Sequence, residues 1–159
     1  MNIDGIYDSY VRSSARYCRD LFRAAQNFFA ANALVEDVIT GSGVPTPPQV
    51  DAISSTFAKT STCAIEAVAS VQEFAAAHNN YPDQQLLVDS DTQQWRLRRI
   101  AELGERIANM TSALSSGADL QEQIWAEPEY TRLFTEMADI VCTSVTWQRS
   151  LALETHGEL

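Results

Sequence analysis

Apolar residues recur every three or four positions along four long stretches of this chain. The clearest series is Val50, Ile53, Phe57, Thr60, Ala64, Ala67, Val71 and Phe74. At about 3.6 residues per turn, this spacing places the series on one side of an α-helix, and that side must be buried against other helices. The pattern therefore predicts amphipathic helices packed around a shared core.

Start and stop signals delimit the helices. We predict four long helices and one short helical turn, over residues 4–39, 47–78, 91–116, 128–154 and 119–126 respectively. A glycine-containing turn, Thr40–Gly43, ends the first helix, because glycine readily adopts the left-handed backbone that closes helices. Thr46 and Gln49 form a capping box before the second helix, with Pro47 at its first position.

Four helices of similar length with short connections predict an all-α fold, an antiparallel up-down-up-down four-helix bundle forming one domain over residues 1–159. Two helical hairpins completed by dimerisation are the structural alternative. Gly104 lies inside the third helix, where glycine costs about 1 kcal/mol relative to alanine. Either a neighbouring backbone approaches closely there, or the glycine is simply tolerated.

The predicted inner face of the first helix carries Ile3, Tyr7, Tyr10, Cys18, Leu21, Ala25, Phe28, Asn32 and Val35. Two further aromatic residues, Phe22 and Phe29, are expected to widen this face towards the core, together with Ile6 and Val11.

Composition narrows the class of protein. A net charge of −10 argues against indiscriminate binding to nucleic acid or anionic membranes. No apolar run reaches the roughly 18 residues that a membrane span needs, and the first residues show no basic, apolar secretion leader. Cys18, Cys63 and Cys142 are odd in number and widely spaced, which predicts free thiols in a cytoplasmic protein.

Catalytic and cofactor motifs are missing from the sequence. The two histidines, His78 and His156, have no glutamate three positions before them, so a di-iron site of the bundle type is not expected. Clustered zinc ligands, a haem-attachment motif and a glycine-rich phosphate loop are also missing. We therefore predict a non-enzymatic protein with no metal and no cofactor.

A row of arginines follows one side of the first helix. At about 100° per residue, Arg12, Arg16, Arg19 and Arg23 form a narrow stripe opposite the apolar face and are expected to point into solvent. The planar guanidinium suits carboxylate and phosphate. The row is therefore a candidate contact with an acidic protein or a phosphate backbone, and the alternative is an ordinary solvated face.

An acidic row, Glu129, Glu136 and Asp139, flanks the apolar face of the last helix. It is a candidate docking surface for a basic protein. Alternatively, it pairs with arginines of the third helix, for which the candidates are Arg98, Arg99 and Arg106.

His78 and Arg96 occupy apolar-stripe positions at one end of the predicted bundle. They define a candidate small anion site with His78 as its pH-sensitive member, unless the core simply opens to water there.

These observations favour a protein-interaction module, such as a small acidic inhibitor, immunity or adaptor protein, that binds a protein partner through charged helix faces. A homo-oligomer is compatible with the same pattern. Two alternatives stay open: a nucleic-acid-coating or assembly subunit that uses the arginine row, and a small-molecule sensor bundle that uses His78 and Arg96.

Overall fold

The computed structural model describes residues 3–79 and 90–156. They form five helices: α1 (Ile3–Thr40), α2 (Pro47–Asn79), α3 (Ser90–Ser112), α4 (Leu120–Ala126) and α5 (Pro128–His156). Within these two ranges there is no strand. The predicted all-helical fold is confirmed, and the helices pack in a manner consistent with a bundle.

Local chemistry accounts for the helix ends. Before α2, the Thr46 amide donates to Gln49 Oε1 (2.8 Å) and the Gln49 amide donates to Thr46 Oγ1 (3.3 Å), which confirms the capping box. Beyond α1, Gly43 adopts a φ of 76° while its amide donates to the carbonyl of Val38 (2.8 Å). The predicted end of the third helix at residue 116 is wrong. Its last turn tightens instead, with the amide of Leu114 donating to the carbonyl of Thr111 (3.0 Å).

α2 lies at the centre of the packing. It contacts α1 on one side and α3 on the other, whereas α5 packs against α3 and touches α1 more sparingly. Every residue of the α2 series from Val50 to Phe74 is buried, as its spacing predicts. The short helix α4 contacts both α1 and α5.

Close contact between α2 and α3 explains Gly104. A Cβ atom at this position would lie 3.0 Å from the carbonyl oxygen of Phe57 and 3.3 Å from the amide nitrogen of Ser61. The Ser61 hydroxyl donates to the Ala101 carbonyl (2.7 Å), and the Ser54 hydroxyl donates to the Ala108 carbonyl (2.8 Å). Small residues thus bring the two helices together, and close approach is the correct alternative for this glycine.

The inner face of α1 differs from the prediction at its edges. Phe22 and Phe29, expected to widen the buried face, have 41% and 51% of their surface exposed. Tyr17 and Ala24, which the spacing did not assign to the core, are each 1% exposed. Tyr17 packs against Phe74 of α2 and Trp147 of α5, with ring centroids 6.2 Å and 6.1 Å apart.

Candidate interaction surfaces

The arginine row of α1 lies on the surface, but its members differ in their contacts. Arg16 forms an ion pair with Glu73 of α2 (2.5 Å), although the sequence pattern placed the row too far round the helix to meet a neighbour. The expectation of a row pointing only into solvent is therefore wrong at Arg16. Side-chain length explains the difference, since a guanidinium can reach across the groove between two closely packed helices.

Arg19 compensates a buried charge. Its Nε donates to Oδ1 of Asp20 (3.2 Å), a carboxylate that also accepts a hydrogen bond from the Ser70 hydroxyl. Asp20 is 6% exposed, and a buried carboxylate is costly unless it is paired. Arg12 and Arg23, by contrast, are exposed and make no ion pair with any side chain that the structure describes. These two arginines are the members of the row left for an external contact.

The exposed side of α1 extends well beyond the arginines, and we call it the α1 outer face. Its residues, all exposed, are Arg12, Ala15, Arg16, Arg19, Phe22, Arg23, Gln26, Phe29, Ala30, Ala33, Glu36 and Asp37. Three arginines occupy the N-terminal part, Phe22, Arg23 and Phe29 lie in the middle, and two carboxylates occupy the C-terminal part. The sequence pattern missed this surface because both phenylalanines were assigned to the core.

The acidic row of α5 is largely paired with α3, the alternative left open by the sequence. Both carboxylate oxygens of Glu136 accept from Arg99, from Nε at 2.7 Å and from Nη2 at 3.0 Å. Glu129 accepts from Arg106. Arg98 forms no ion pair and Asp139 has none either, among the residues that the structure describes, and both are exposed.

The pKa values reflect this pairing. The hydrogen bonds from Arg99 lower the pKa of Glu136, and the reciprocal bonds raise the pKa of Arg99. Arg99 also contacts Glu102 one turn along α3 (2.9 Å). The α3–α5 ion pairs form a connected network that holds two helices together, and of the predicted acidic row only Asp139 has an unengaged carboxylate.

Arg96 is half-buried and donates to Oε1 of Gln93 (3.3 Å). It lines a cleft of about 390 Å³ between α3 and α5, together with Cys142, Thr143, Thr146 and Trp147. The side chain of His78 lies outside the part of the molecule that the structure describes. Of the predicted anion site, only Arg96 is therefore described. Its neighbours are Gln93 and the other residues that line the cleft.

A buried polar contact beside this cleft was not predicted. Tyr17 of α1 and Gln93 of α3 are 1% and 0% exposed, and the Gln93 amide nitrogen donates to the Tyr17 hydroxyl. Burial raises the pKa of Tyr17 strongly, so the phenol stays neutral. Polar residues inside apolar stripes are the signal that could have identified this contact.

The three cysteines lie apart as free thiols. Burial raises the pKa of both Cys18 and Cys63, so these thiols are poor nucleophiles at neutral pH.

Among the described residues, no group of three or more histidine, cysteine, aspartate or glutamate side chains is arranged to hold a metal ion. Nor does any helix in that part of the chain combine the length and apolarity needed to cross a bilayer.

No protein-family model, curated protein or solved structure matches this chain. The geometry of its surfaces is therefore the basis of the function proposed below.

Proposed function

We propose that this protein is a non-enzymatic interaction module that binds an acidic protein surface through the arginines of α1. Its size and acidity suit a small inhibitor, immunity or adaptor protein. The observation that carries the proposal is the contrast between the two charged rows. Glu129 and Glu136 are engaged by α3 arginines, whereas Arg12 and Arg23 are exposed and form no ion pair with a described side chain.

The exposed cations suit a carboxylate-bearing partner. Arginine offers a planar fork of donors that matches a carboxylate in two hydrogen bonds. Arg16 and Arg19 have side chains 49% and 58% exposed, so each can add a contact without losing its in-chain acid. This protein carries a net charge of −10, so a local strip of cations on its surface also orients an approaching acidic partner.

The proposal includes an up-down-up-down bundle of α1, α2, α3 and α5 in a cytoplasmic protein. Contacts between α1 and α2 support this topology, since they run from Arg16 with Glu73 to Asn27 with Cys63. Residue numbers thus rise along α1 as they fall along α2, as in a pair of antiparallel helices. The separate thiols fit a reducing compartment.

The test is a pull-down from nuclease-treated lysate of the source cells, with three baits. One bait is wild type, one carries Arg12→Glu and Arg23→Glu, and the matched control carries Arg98→Glu and Arg149→Glu. Both variants change the net charge equally at exposed arginines. Circular dichroism and thermal melting establish that all three are folded.

A stoichiometric protein captured by wild type and by the control, but not by the α1 variant, supports the proposal. Equal capture by all three baits would exclude the α1 row as the binding surface. If wild type instead retains nucleic acid in untreated lysate, with binding that weakens steeply as salt rises, the assembly-subunit alternative is favoured.

A second candidate function is sensing of a small organic anion in the α3–α5 cleft. The observation that favours it is the half-buried Arg96 in a cleft that Thr146 and Trp147 also line. A guanidinium, a threonine hydroxyl and an aromatic side chain together suit a carboxylate with an apolar body. Thermal-shift screening of organic acids tests it. A hit should raise the melting temperature of wild type but not that of Arg96→Gln.

A further inference from the structure

We propose that the α1 outer face binds a second copy of this chain, with the two α1 helices antiparallel about a twofold axis. This inference is separate from the proposed function, because it requires no foreign partner. It rests on the order of exposed groups along α1, where cations, apolar rings and carboxylates follow one another.

The centre of the face carries two aromatic rings, with Arg23 and Gln26 between them in the sequence. Phe22 and Phe29 lie two helical turns apart on the same side of α1 and are 41% and 51% exposed. An antiparallel pairing centred between them places Phe22 of each copy beside Phe29 of the other. Ala30 and Ala33 are exposed next to these rings and are small enough to let a second helix approach.

The charged ends complement each other in that same register. Glu36 of one copy falls opposite Ala15 of the other, which has Arg12 about one turn before it, Arg19 about one turn after it and Arg16 as the next residue. Asp37 follows Glu36 directly. Among the side chains that the structure describes, neither carboxylate has an ion-pair partner, and Arg12 has none either. The twofold axis repeats the same match at both ends.

An acidic partner bound at Arg12 and Arg23, as proposed above, accounts for the cations of this face but not for its other groups. A second copy also covers the two phenylalanines and brings Glu36 and Asp37 close to arginines. The charge of the face changes from positive to negative along α1. An antiparallel copy therefore places opposite charges together at each end and the phenylalanines together in the middle. From residue 12 to residue 37 it spans roughly 38 Å at about 1.5 Å per residue, a length that suits a helix-pair interface.

Sedimentation velocity over a wide range of protein concentration tests the pairing, using two charge-reversed variants. The first carries Arg12→Glu and Arg16→Glu, with Glu73→Lys added to preserve the in-chain ion pair at position 16. The second carries Glu36→Arg and Asp37→Arg. In either variant alone, like charges meet at both ends of the pair, so each should dimerise at least about tenfold more weakly than wild type.

Mixed at equal concentration, the two variants present opposite charges at both ends. We therefore expect a one-to-one heterodimer to form from chains that do not self-associate, a result that misfolding of either variant cannot produce. Phe22→Ser with Phe29→Ser should abolish association, whereas the control Ile65→Ser, which removes an equally exposed apolar side chain from α2, should not. A wild type that stays monomeric at the highest concentration overturns the proposal. A wild-type dimer that survives the phenylalanine substitutions, or a mixture that fails to associate, overturns it as well.

Discussion

Replacing Tyr17 with phenylalanine is expected to lower the free energy of unfolding by about 1–3 kcal/mol, the usual effect of leaving a buried donor without its acceptor. The Tyr17 hydroxyl accepts from the Gln93 amide across the α1–α3 core, where both residues are almost fully buried. Removing one oxygen atom leaves the aromatic packing in place, so the effect isolates the hydrogen bond. For a domain of this size, each kcal/mol lowers the melting temperature by about 2–4 °C.

Tyr130→Phe is the matched control. Tyr130 is 2% exposed, and its hydroxyl contacts the Thr111 hydroxyl at 3.4 Å. Thr111 also donates to the carbonyl of Ile107 at 2.8 Å, so it keeps a partner after the substitution. The loss should therefore be smaller than at Tyr17. Urea unfolding at neutral pH gives both values, and an unchanged m-value would show that neither variant alters the unfolded state.

A double variant provides the sharper check. Gln93→Leu in a Tyr17→Phe background removes the unpaired amide nitrogen and replaces both polar partners with apolar groups of similar shape. It also removes the Oε1 that accepts from Arg96, but that guanidinium is half-buried and can bond to water instead. This double variant should be more stable than Tyr17→Phe alone. If Tyr17→Phe is neutral, or if the second substitution lowers stability further, Gln93 finds another partner and the reasoning fails.

The same hydroxyl predicts a pH dependence. Burial raises the pKa of Tyr17 in the folded chain above the ordinary value of about 10, so folding favours the neutral phenol. This contribution is fully present below pH 10 and is lost as pH rises above it, because the unfolded chain then releases its proton first. Burial also raises the pKa of Tyr130, so each phenylalanine variant should show a shallower alkaline loss of stability than wild type.

Three further predictions concern contacts that stabilise the fold. Gly104→Ala should lower the free energy of unfolding in urea by about 1 kcal/mol, because overpacking against the Phe57 carbonyl outweighs the gain in helix propensity. A more stable variant would show that α2 moves away to make room for the added methyl group. Asp119→Ala should cost about 0.5–2 kcal/mol by the same measurement, because its side chain caps α4, and an unchanged midpoint would contradict that role. A double-mutant cycle on Arg99 and Glu136 should give a coupling of about 0.5–1 kcal/mol at neutral pH. Because the pairing lowers the pKa of Glu136, the coupling should disappear as pH falls below the ordinary glutamate range, and a pH-independent coupling would count against the ion pair.

Helix positions and the central buried stripe could be predicted from the sequence. The α2 series from Val50 to Phe74 is buried at every position, and the capping box at Thr46 marks the start of α2. These features depend on groups that lie within a turn or two of each other, because helical spacing alone decides which side chains share a face. The early end of α3 was missed, since a tightened last turn leaves little trace in that spacing.

Tertiary structure decided which faces are covered and which charges meet. The sequence placed Phe22 and Phe29 beside the core, but the helices that contact α1 leave both rings exposed. The sequence left two roles open for Glu136, a docking surface and an ion pair with α3. The packing of α3 against α5 places Arg99 within hydrogen-bond distance of Glu136, so the ion pair forms. Arg16 reaches Glu73 for the same reason, since the position of a neighbouring helix is set by the packing of the whole core and not by the spacing within one segment.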